Sequence, residues 1–506
     1  MQNLEAHLTF EHTSYQFRRR TYLYLGFLLA AIMAFHVATL RDGHLWGDDF
    51  AMYILHAQNI AEGRPYADTG YLYNPAVPVY GPRMYPPVFP LLLAPLYKVF
   101  GLSLFPMKVE QVFFIVLMLA TVFVMWHHEL GTGYSLALVA ILGFSLNFWT
   151  AKDSILSDLP FLFFFYLAVL LLRWKPQSQK QRWAWSVFLG LSLYLAIGTR
   201  TAGLTLVPGV LLYQWLRTRR INRFTWIALV LCAAALIAQN WVVGTVPGGY
   251  LEQLHSTTPK TILFNVLRYS RALAGSWVGW VRNPFSYFLL AVIGVLTLVG
   301  FRSQRRNGVA AIECLLVPYL ILMVLWPFGA GIRYALPFVP WITFLALSGL
   351  HELSSRFKLR YPAAAPCGFL LLLAIPASQA YRASDFGTIR ENTGLPEFND
   401  LCQTVRNTTG PEDIFIYYRA RALTLYTSRR ASTYNLHGTQ AELWEYSRKI
   451  HATYLITTNA FHEDGGFLAR YVDAHPEEMK LTYRNAHFRL YRMHHTVDPT
   501  TASISR

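Results

Sequence analysis

Two acidic residues, Asp48 and Asp49, stand together shortly after a long apolar run, in the segment RDGHLWGDDFAMYILHAQNIAEG (Arg41 to Gly63). A carboxylate can take a proton from a hydroxyl group as that oxygen attacks an electrophile. Burial and a neighbouring like charge both move a carboxyl pKa toward the range where such chemistry works. The pair opens a helical pattern that stops at Gly63, a usual helix terminator. On that helix Asp49, Tyr53 and His56 share one face, and Phe50, Ile54 and Ala57 share another. Asp48 also fits a helix N-cap, where backbone amides would lower its pKa. The acid/base reading and the cap reading therefore predict opposite shifts.

Three arginines are suited to the complementary task. A departing phosphate gathers negative charge, and a guanidinium meets it through two parallel charge-assisted bonds. Arg333 is the first candidate, followed by Arg200 and Arg83. The plainer readings are an interfacial anchor for Arg333, beside Tyr334, and a helix-end snorkelling side chain for Arg200. Asp158, in Ser157-Asp158-Leu159-Pro160, is either a second acidic site or a helix cap.

These residues lie between apolar elements. Of 506 residues, 54% are hydrophobic and only 14% charged, with a formal net charge of +16. Soluble domains carry about 25% charged residues. Mean hydropathy is +0.29. The excess positive charge is confined to short connectors between apolar runs, which encodes membrane orientation and argues against nucleic-acid binding. Eleven runs are long enough to suggest crossings, at about Thr21–Leu40, Leu102–Trp126, Tyr134–Trp149, Leu159–Leu172, Trp183–Ile197, Ala202–Leu216, Trp226–Val246, Phe285–Phe301, Val309–Trp326, Tyr334–Leu350 and Ala363–Ala380. In lipid these must be helices. The basic connectors Arg18–Arg20, Arg173–Arg182, Arg217–Arg223, Arg302–Arg306 and Arg356–Arg360 all fall on one side under this count. That side is cytoplasmic, so the N-terminus is inside and Asp48, Arg83, Arg200 and Arg333 are outside.

The expected architecture is mainly α: a polytopic transmembrane helical bundle of about eleven helices, followed by a small extracytoplasmic α/β domain. The bundle with its large first outer loop (41–101) is assigned to residues 1–381, and the outer domain to 382–506. Two further outer segments are expected, from Pro247 to about Pro284 and from Tyr381 to Arg506. The stretch Val88–Phe100 is too short to cross and reads as interfacial or re-entrant. In the tail, Ile414–Tyr418, Tyr454–Thr457, Lys480–Tyr483 and Phe488–Arg492 read as strands, and Gln440–Ile450 and Phe467–Ala474 as helices.

The acidic pair, Tyr53, Ala57 to Ile60 and Gly63, followed by Tyr85-Pro86-Pro87 and Leu96 to Gly101, resembles the GT-C superfamily of membrane glycosyltransferases. The similarity is to the bacterial branch with protein O-mannosyltransferases and lipid A aminoarabinose transferases. Ser157 to Pro160, Arg200 in GTRTAGLTLVPGVLLY, Ile332 to Pro337 and the ending LTYRNAHFRLYR (Leu481 to Arg492) continue the resemblance along nearly the whole chain. The resemblance implies that Asp48 is the catalytic base with Asp49 beside it. It implies that Arg333, Arg200 and Arg83 bind donor phosphate, and that Asp158, Tyr53, His56 and Tyr85 bind substrate. It further implies a polyprenyl-phosphate-linked sugar donor, an extracytoplasmic acceptor (glycolipid, polysaccharide or protein), and inversion by single displacement with no cofactor and no catalytic metal. The transferred group would be a hexosyl or pentosyl unit, and the location the bacterial inner membrane.

The competing class is a transporter or flippase for a lipid-linked sugar. It would place ionisable residues near mid-bilayer, whereas here they gather at one mouth of the bundle. His127-His128-Glu129, His494-His495 and Arg429-Arg430 read as solvated. Cys232, Cys314 and Cys367 read as small apolar side chains, and Cys402 stands alone, so no disulfide framework is expected.

Overall fold

The computed structural model describes residues 2–244, 253–279, 283–306, 308–329, 331–357, 364–461 and 466–494. His495 and parts of the expected second outer segment fall outside them. In chain order the helices are α1 (Gln2–Ala38), α2 (Asp49–Glu62), α3 (Val88–Phe100), α4 (Leu104–Gly143), α5 (Leu146–Ala151), α6 (Asp158–Arg173), α7 (Gln179–Thr199), α8 (Leu206–Thr218), α9 (Arg223–Val243), α10 (Pro259–Val278), α11 (Pro284–Arg305), α12 (Ala311–Leu325), α13 (Ile332–Ala335), α14 (Phe338–Arg356), α15 (Ala364–Arg382), α16 (Pro396–Thr408), α17 (Ala420–Thr427), α18 (Gln440–Lys449) and α19 (Phe467–Ala474). The strands are β1 (Tyr71–Leu72), β2 (Ile414–Ile416), β3 (Arg430–Ser432), β4 (Tyr454–Thr458), β5 (Met479–Arg484) and β6 (Phe488–Met493).

The chain is a mainly helical, multi-pass membrane protein with a mixed α/β sheet near its end. Every one of the eleven apolar runs is helical. Five described helices are long and apolar enough to cross a bilayer: Arg20–Ala38 within α1, α4, α9, α11 and α15. The second and third runs are joined as α4, and Gly131, at φ +73°, breaks the helix between them. The expected second outer segment carries α10, a helix absent from the sequence expectation.

Two compact units result. One comprises residues 1–40, 105–239 and 256–386, and the other residues 41–104, 240–255 and 387–506. The division differs from the boundary expected near residue 381, because the first loop groups with the tail. The cause is backbone pairing: β1, from the loop, pairs in parallel with β3 of the tail, Tyr71 opposite Ala431 and Leu72 opposite Ser432.

In the helical unit, Trp126 stacks on Phe344 at 4.3 Å, and the Tyr166 hydroxyl donates to the Pro337 carbonyl at 2.7 Å. Leu298, Leu371 and Val295 stay exposed. An apolar surface of that kind is the one lipid covers. α11 and α14 pack so closely that a Cβ on Gly300 would land on the Leu345 carbonyl, and one on Gly349 on the Leu296 carbonyl. Small residues let helix backbones approach in this way. Lys152 is fully buried and holds the end of α1, donating to the Thr39 carbonyl and to the Asp153 carboxylate, both at 2.7 Å.

The second unit is built on one six-stranded sheet of order β1-β3-β2-β4-β6-β5. The first four strands are mutually parallel and the last two antiparallel. Trp46 anchors the loop here, its ring against Phe398, Phe461 and Phe488 and its backbone N–H donating to the Glu391 carboxylate at 2.9 Å. The six tail elements expected from sequence all form.

A bulkier side chain at Gly349 must push α14 away from α11. We expect Gly349→Val to cost about 1–3 kcal/mol, read as a lowered thermal midpoint of the detergent-solubilised protein.

Candidate active site

The loop following α1 (41–101) is rich in glycine and proline, which keep its helices short. α2 starts at Asp49 and stops at Gly63, whose φ of +68° lets its N–H reach the Asn59 and Ile60 carbonyls. Asn59 in turn ties down the chain beyond, donating to the carbonyls of Pro65, Tyr66 and Asp68. This fixes Tyr66, which stacks on His56 at 4.1 Å.

His56 is fully buried, and both ring nitrogens are used. Nδ1 faces the Tyr66 carbonyl at 2.9 Å, and Nε2 receives the Tyr85 backbone N–H at 3.3 Å. That pairing assigns the proton to Nδ1. Burial lowers the His56 pKa to about 3, further depressed by the Arg421 charge and only partly offset by the Tyr66 bond, so the ring stays neutral. His56 thus positions Tyr85. Tyr53 does so too, stacking on the Tyr85 ring at 4.6 Å.

Asp48 occupies the N-cap position of α2, yet its side chain makes no cap hydrogen bond there. Its carboxylate turns to the start of α17 instead. It accepts the backbone N–H of Arg421 at 3.3 Å on Oδ2 and that of Ala422 at 3.4 Å on Oδ1. A helix N-terminus supplies unpaired amides and a favourable dipole for an anion. The residue is only 5% exposed. Burial raises its pKa from 3.8 to about 6, the dominant influence over the Arg419 and Arg421 charges and the two amides, which all pull it down. Of the two opposite shifts open to Asp48, the upward one is found.

Asp49 is more exposed, with 40% of its side-chain surface open. It accepts the Tyr85 hydroxyl at 2.7 Å. Arg421 meets both, with Nη1 2.8 Å from the Tyr85 hydroxyl and 3.5 Å from Asp49. Its Nη2 donates to the Tyr80 carbonyl, and its guanidinium lies over the Tyr71 ring at 4.8 Å. Arg421 is completely buried. Sequence reasoning missed it; the available signal was a basic residue set among apolar ones in YYRARALTLY. Arg83 is exposed, its guanidinium 5.4 Å from the centre of the Tyr73 ring.

The helical unit gathers the other expected residues. Asp158, at the start of α6, is buried between two arginines. Arg200 pairs with its Oδ1, and Arg333 with its Oδ2 at 3.0 Å from Nη2 and 3.1 Å from Nε. Arg200 also lies 4.7 Å from the Tyr334 ring centre, and the Tyr319 hydroxyl holds the Tyr334 carbonyl at 2.9 Å. Two guanidinium groups against one carboxylate leave a net positive charge, with Arg333 the more exposed at 35%. Such a group attracts a further anion.

Two side readings change. Arg429 is not simply solvated: it donates to the Arg406 and Thr409 carbonyls at the end of α16. Glu129 pairs with Arg173.

Two outcomes follow from these contacts. A carboxyl whose pKa is raised on folding weakens the fold when ionised; the cost is absent below 3.8 and complete above about 6. Removing that charge should therefore help at alkaline pH. We expect Asp48→Asn to be more heat-stable than the parent at pH 8, by up to about 3 kcal/mol, with the gap closing toward pH 4. Arg421→Met removes a buried cation from beside Asp48 and Asp49 and takes its donor from the Tyr80 carbonyl, and should destabilise the second unit by about 2–4 kcal/mol. Limited proteolysis of the tail reads the loss.

No protein-family model matches the chain, and no curated protein matches it in sequence. Solved structures do match in shape. ArnT from Cupriavidus metallidurans bound to undecaprenyl phosphate aligns over 93% of this chain and 98% of its own, with a TM-score of 0.61 at 12% identity. The oligosaccharyltransferase AglB from Archaeoglobus fulgidus, in complex with an inhibitory peptide and a dolichol-phosphate, aligns over 90% of this chain and 71% of its own, with a TM-score of 0.58 at 13% identity. The mycobacterial arabinofuranosyltransferase AftD aligns over 93% of this chain and 42% of its own, with a TM-score of 0.55 at 13% identity. The chain therefore has the fold of the GT-C membrane glycosyltransferases.

Proposed function

We propose that the protein is a glycosyltransferase of the bacterial inner membrane that moves a sugar from a polyprenyl-phosphate carrier to an extracytoplasmic acceptor. The observation that carries this reading is the buried Asp48 carboxylate with a pKa near 6, held beside Asp49, Tyr85 and Arg421. A base with that pKa is mostly ionised at neutral pH and still able to take a proton. The donor class is supported by the shape relatives, one bound to undecaprenyl phosphate and one to a dolichol-phosphate.

In the proposed step the acceptor hydroxyl oxygen attacks the anomeric carbon while its proton passes to Asp48. The bond from that carbon to the phosphate oxygen breaks, and the electron pair leaves with the phosphate. One displacement inverts the anomeric centre. Arg333 and Arg200 stabilise the phosphate charge, with Asp158 holding the two guanidinium groups side by side, and Arg83 offers a further cation. Asp49, steadied by Tyr85, keeps negative charge near the developing positive charge of the sugar. Tyr53 and His56 act through Tyr85. On this reading the tail assigned from sequence (382–506) lies on the extracytoplasmic side.

The test is mass spectrometry of envelope lipids, polysaccharides and proteins from a strain lacking the gene. We expect one glycan to disappear, to return with the wild-type gene, and to stay absent with an Asp48→Asn protein that accumulates normally. Full restoration by Asp48→Asn would remove Asp48 as the base. With the purified enzyme, kcat/KM should fall as pH drops below about 6, and Arg333→Ala should lower kcat by roughly a hundredfold or more.

A further inference from the structure

The parallel strands of the second unit all point their C-terminal ends at one edge. In open α/β sheets, ligands bind outside that edge. Here β2 runs out into Tyr417, Tyr418 and the start of α17, which holds Asp48. Neighbouring β3 and β1 run out, at the same edge, into a cleft of about 330 Å3. That volume lies at the small end of ligand pockets, about 300–1,000 Å3. It suits a single compact polar group and not an oligomer or a lipid tail.

The cleft is lined by Asn74, Tyr434, Asn435, Glu445, Tyr446 and Lys449, with an apolar contribution from Leu443. They are fixed in advance. Asn74 bridges the two segments, donating to the Thr433 carbonyl at 3.0 Å and accepting the Ala76 N–H at 3.0 Å. The Tyr446 hydroxyl is 2.6 Å from Ser432 Oγ, which donates to the Leu72 carbonyl at 2.7 Å. Tyr434 is stacked on Phe467 at 5.6 Å. Glu445 and Lys449 lie one turn apart on the exposed face of α18.

Tyr71 lies near residues of both the cleft and the acidic pair. Its ring lies under Arg421, and its hydroxyl is buried without a hydrogen-bond partner among the described residues. It is within electrostatic reach of Arg421 and Asp48 and of Tyr446. A buried orphan hydroxyl is costly, and this one has both Asp48 and the cleft residue Tyr446 in its neighbourhood.

Amide, carboxylate, ammonium and phenol groups around a small cleft match the many hydroxyls of a sugar ring, and aromatic side chains offer it an apolar face. We infer that this cleft binds one sugar residue of the acceptor, seating it at the same sheet edge as Asp48. The inference rests on the transferase reading for its source of sugar.

Two measurements test it. Saturation-transfer NMR on the full-length protein in nanodiscs would use methyl α-D-mannopyranoside, N-acetyl-D-glucosamine and methyl α-D-arabinofuranoside as probes. At least one should bind to wild type and to Asp48→Asn alike, and about tenfold more weakly to Glu445→Leu, which removes a charged hydrogen-bond partner from an exposed position. Absence of all three signals, or an undiminished signal with Glu445→Leu and Asn435→Leu combined, overturns the proposal. The same double variant is then placed in the gene-deleted strain. Loss of glycan with both the cleft variant and Asp48→Asn supports the assignment. Loss with Asp48→Asn alone overturns the cleft and keeps the transferase, whereas restoration by Asp48→Asn counts against the transferase and takes the acceptor assignment with it. With purified components, the cleft variant should raise the acceptor KM severalfold and leave the donor KM unchanged. The reverse pattern assigns the cleft to the donor and overturns the proposal.

Discussion

The arrangement of the acidic pair turns on one buried contact: the Asp48 carboxylate against the first amides of α17. A carboxylate so deeply buried would be untenable without compensation. The helix start supplies two N–H groups and a partial positive charge, and Arg419 and Arg421 add full charges nearby. Compensation stops short of complete, and the carboxyl is left near the middle of its useful range. A fully solvated aspartate would be a weaker proton acceptor, and a fully neutralised one no acceptor at all. Tyr53, His56 and Tyr66 bury no catalytic proton themselves. They brace Tyr85, and through it Asp49.

The helical unit solves a related problem with opposite sign. Arg200 and Arg333 would repel each other if left adjacent at a helix end. Asp158 sits between them, one oxygen to each. The result is a rigid pair of guanidinium groups whose summed charge stays positive. The shared carboxylate holds both side chains in place.

Much of this was legible in the sequence, where the governing physics is local. Apolar runs gave the helices because lipid tolerates little else. Gly63 ended α2 because it alone adopts the required left-handed φ cheaply. The boundaries of α19 were read without error from Phe467 to Ala474. What the sequence hid is long-range. β1 is two residues long, too short for any periodic signal, and is defined only by β3. The helix Ala420–Thr427, three residues beyond β2, was not expected at all, being only eight residues long. Asp48 resembles an ordinary cap in sequence, and nothing near it tells that its partners lie 373 and 374 positions further on. Arg421 was missed for the same reason. The helical unit concealed less: Asp158, Arg200 and Arg333 were each singled out, but not that one carboxylate joins them.

The pairing of β1 with β3 has a bearing on biosynthesis. Tyr71 and Leu72 leave the ribosome hundreds of residues before Ala431 and Ser432, their neighbours in the sheet. Until the late strands are made, the loop has no template, Asp48 has no helix start to face, and its pKa has no reason to rise. Such distant pairing is slow to form. A copy ended before Arg421 would keep most of its apolar helices and lack both the strand that pairs with β1 and the amides that face Asp48.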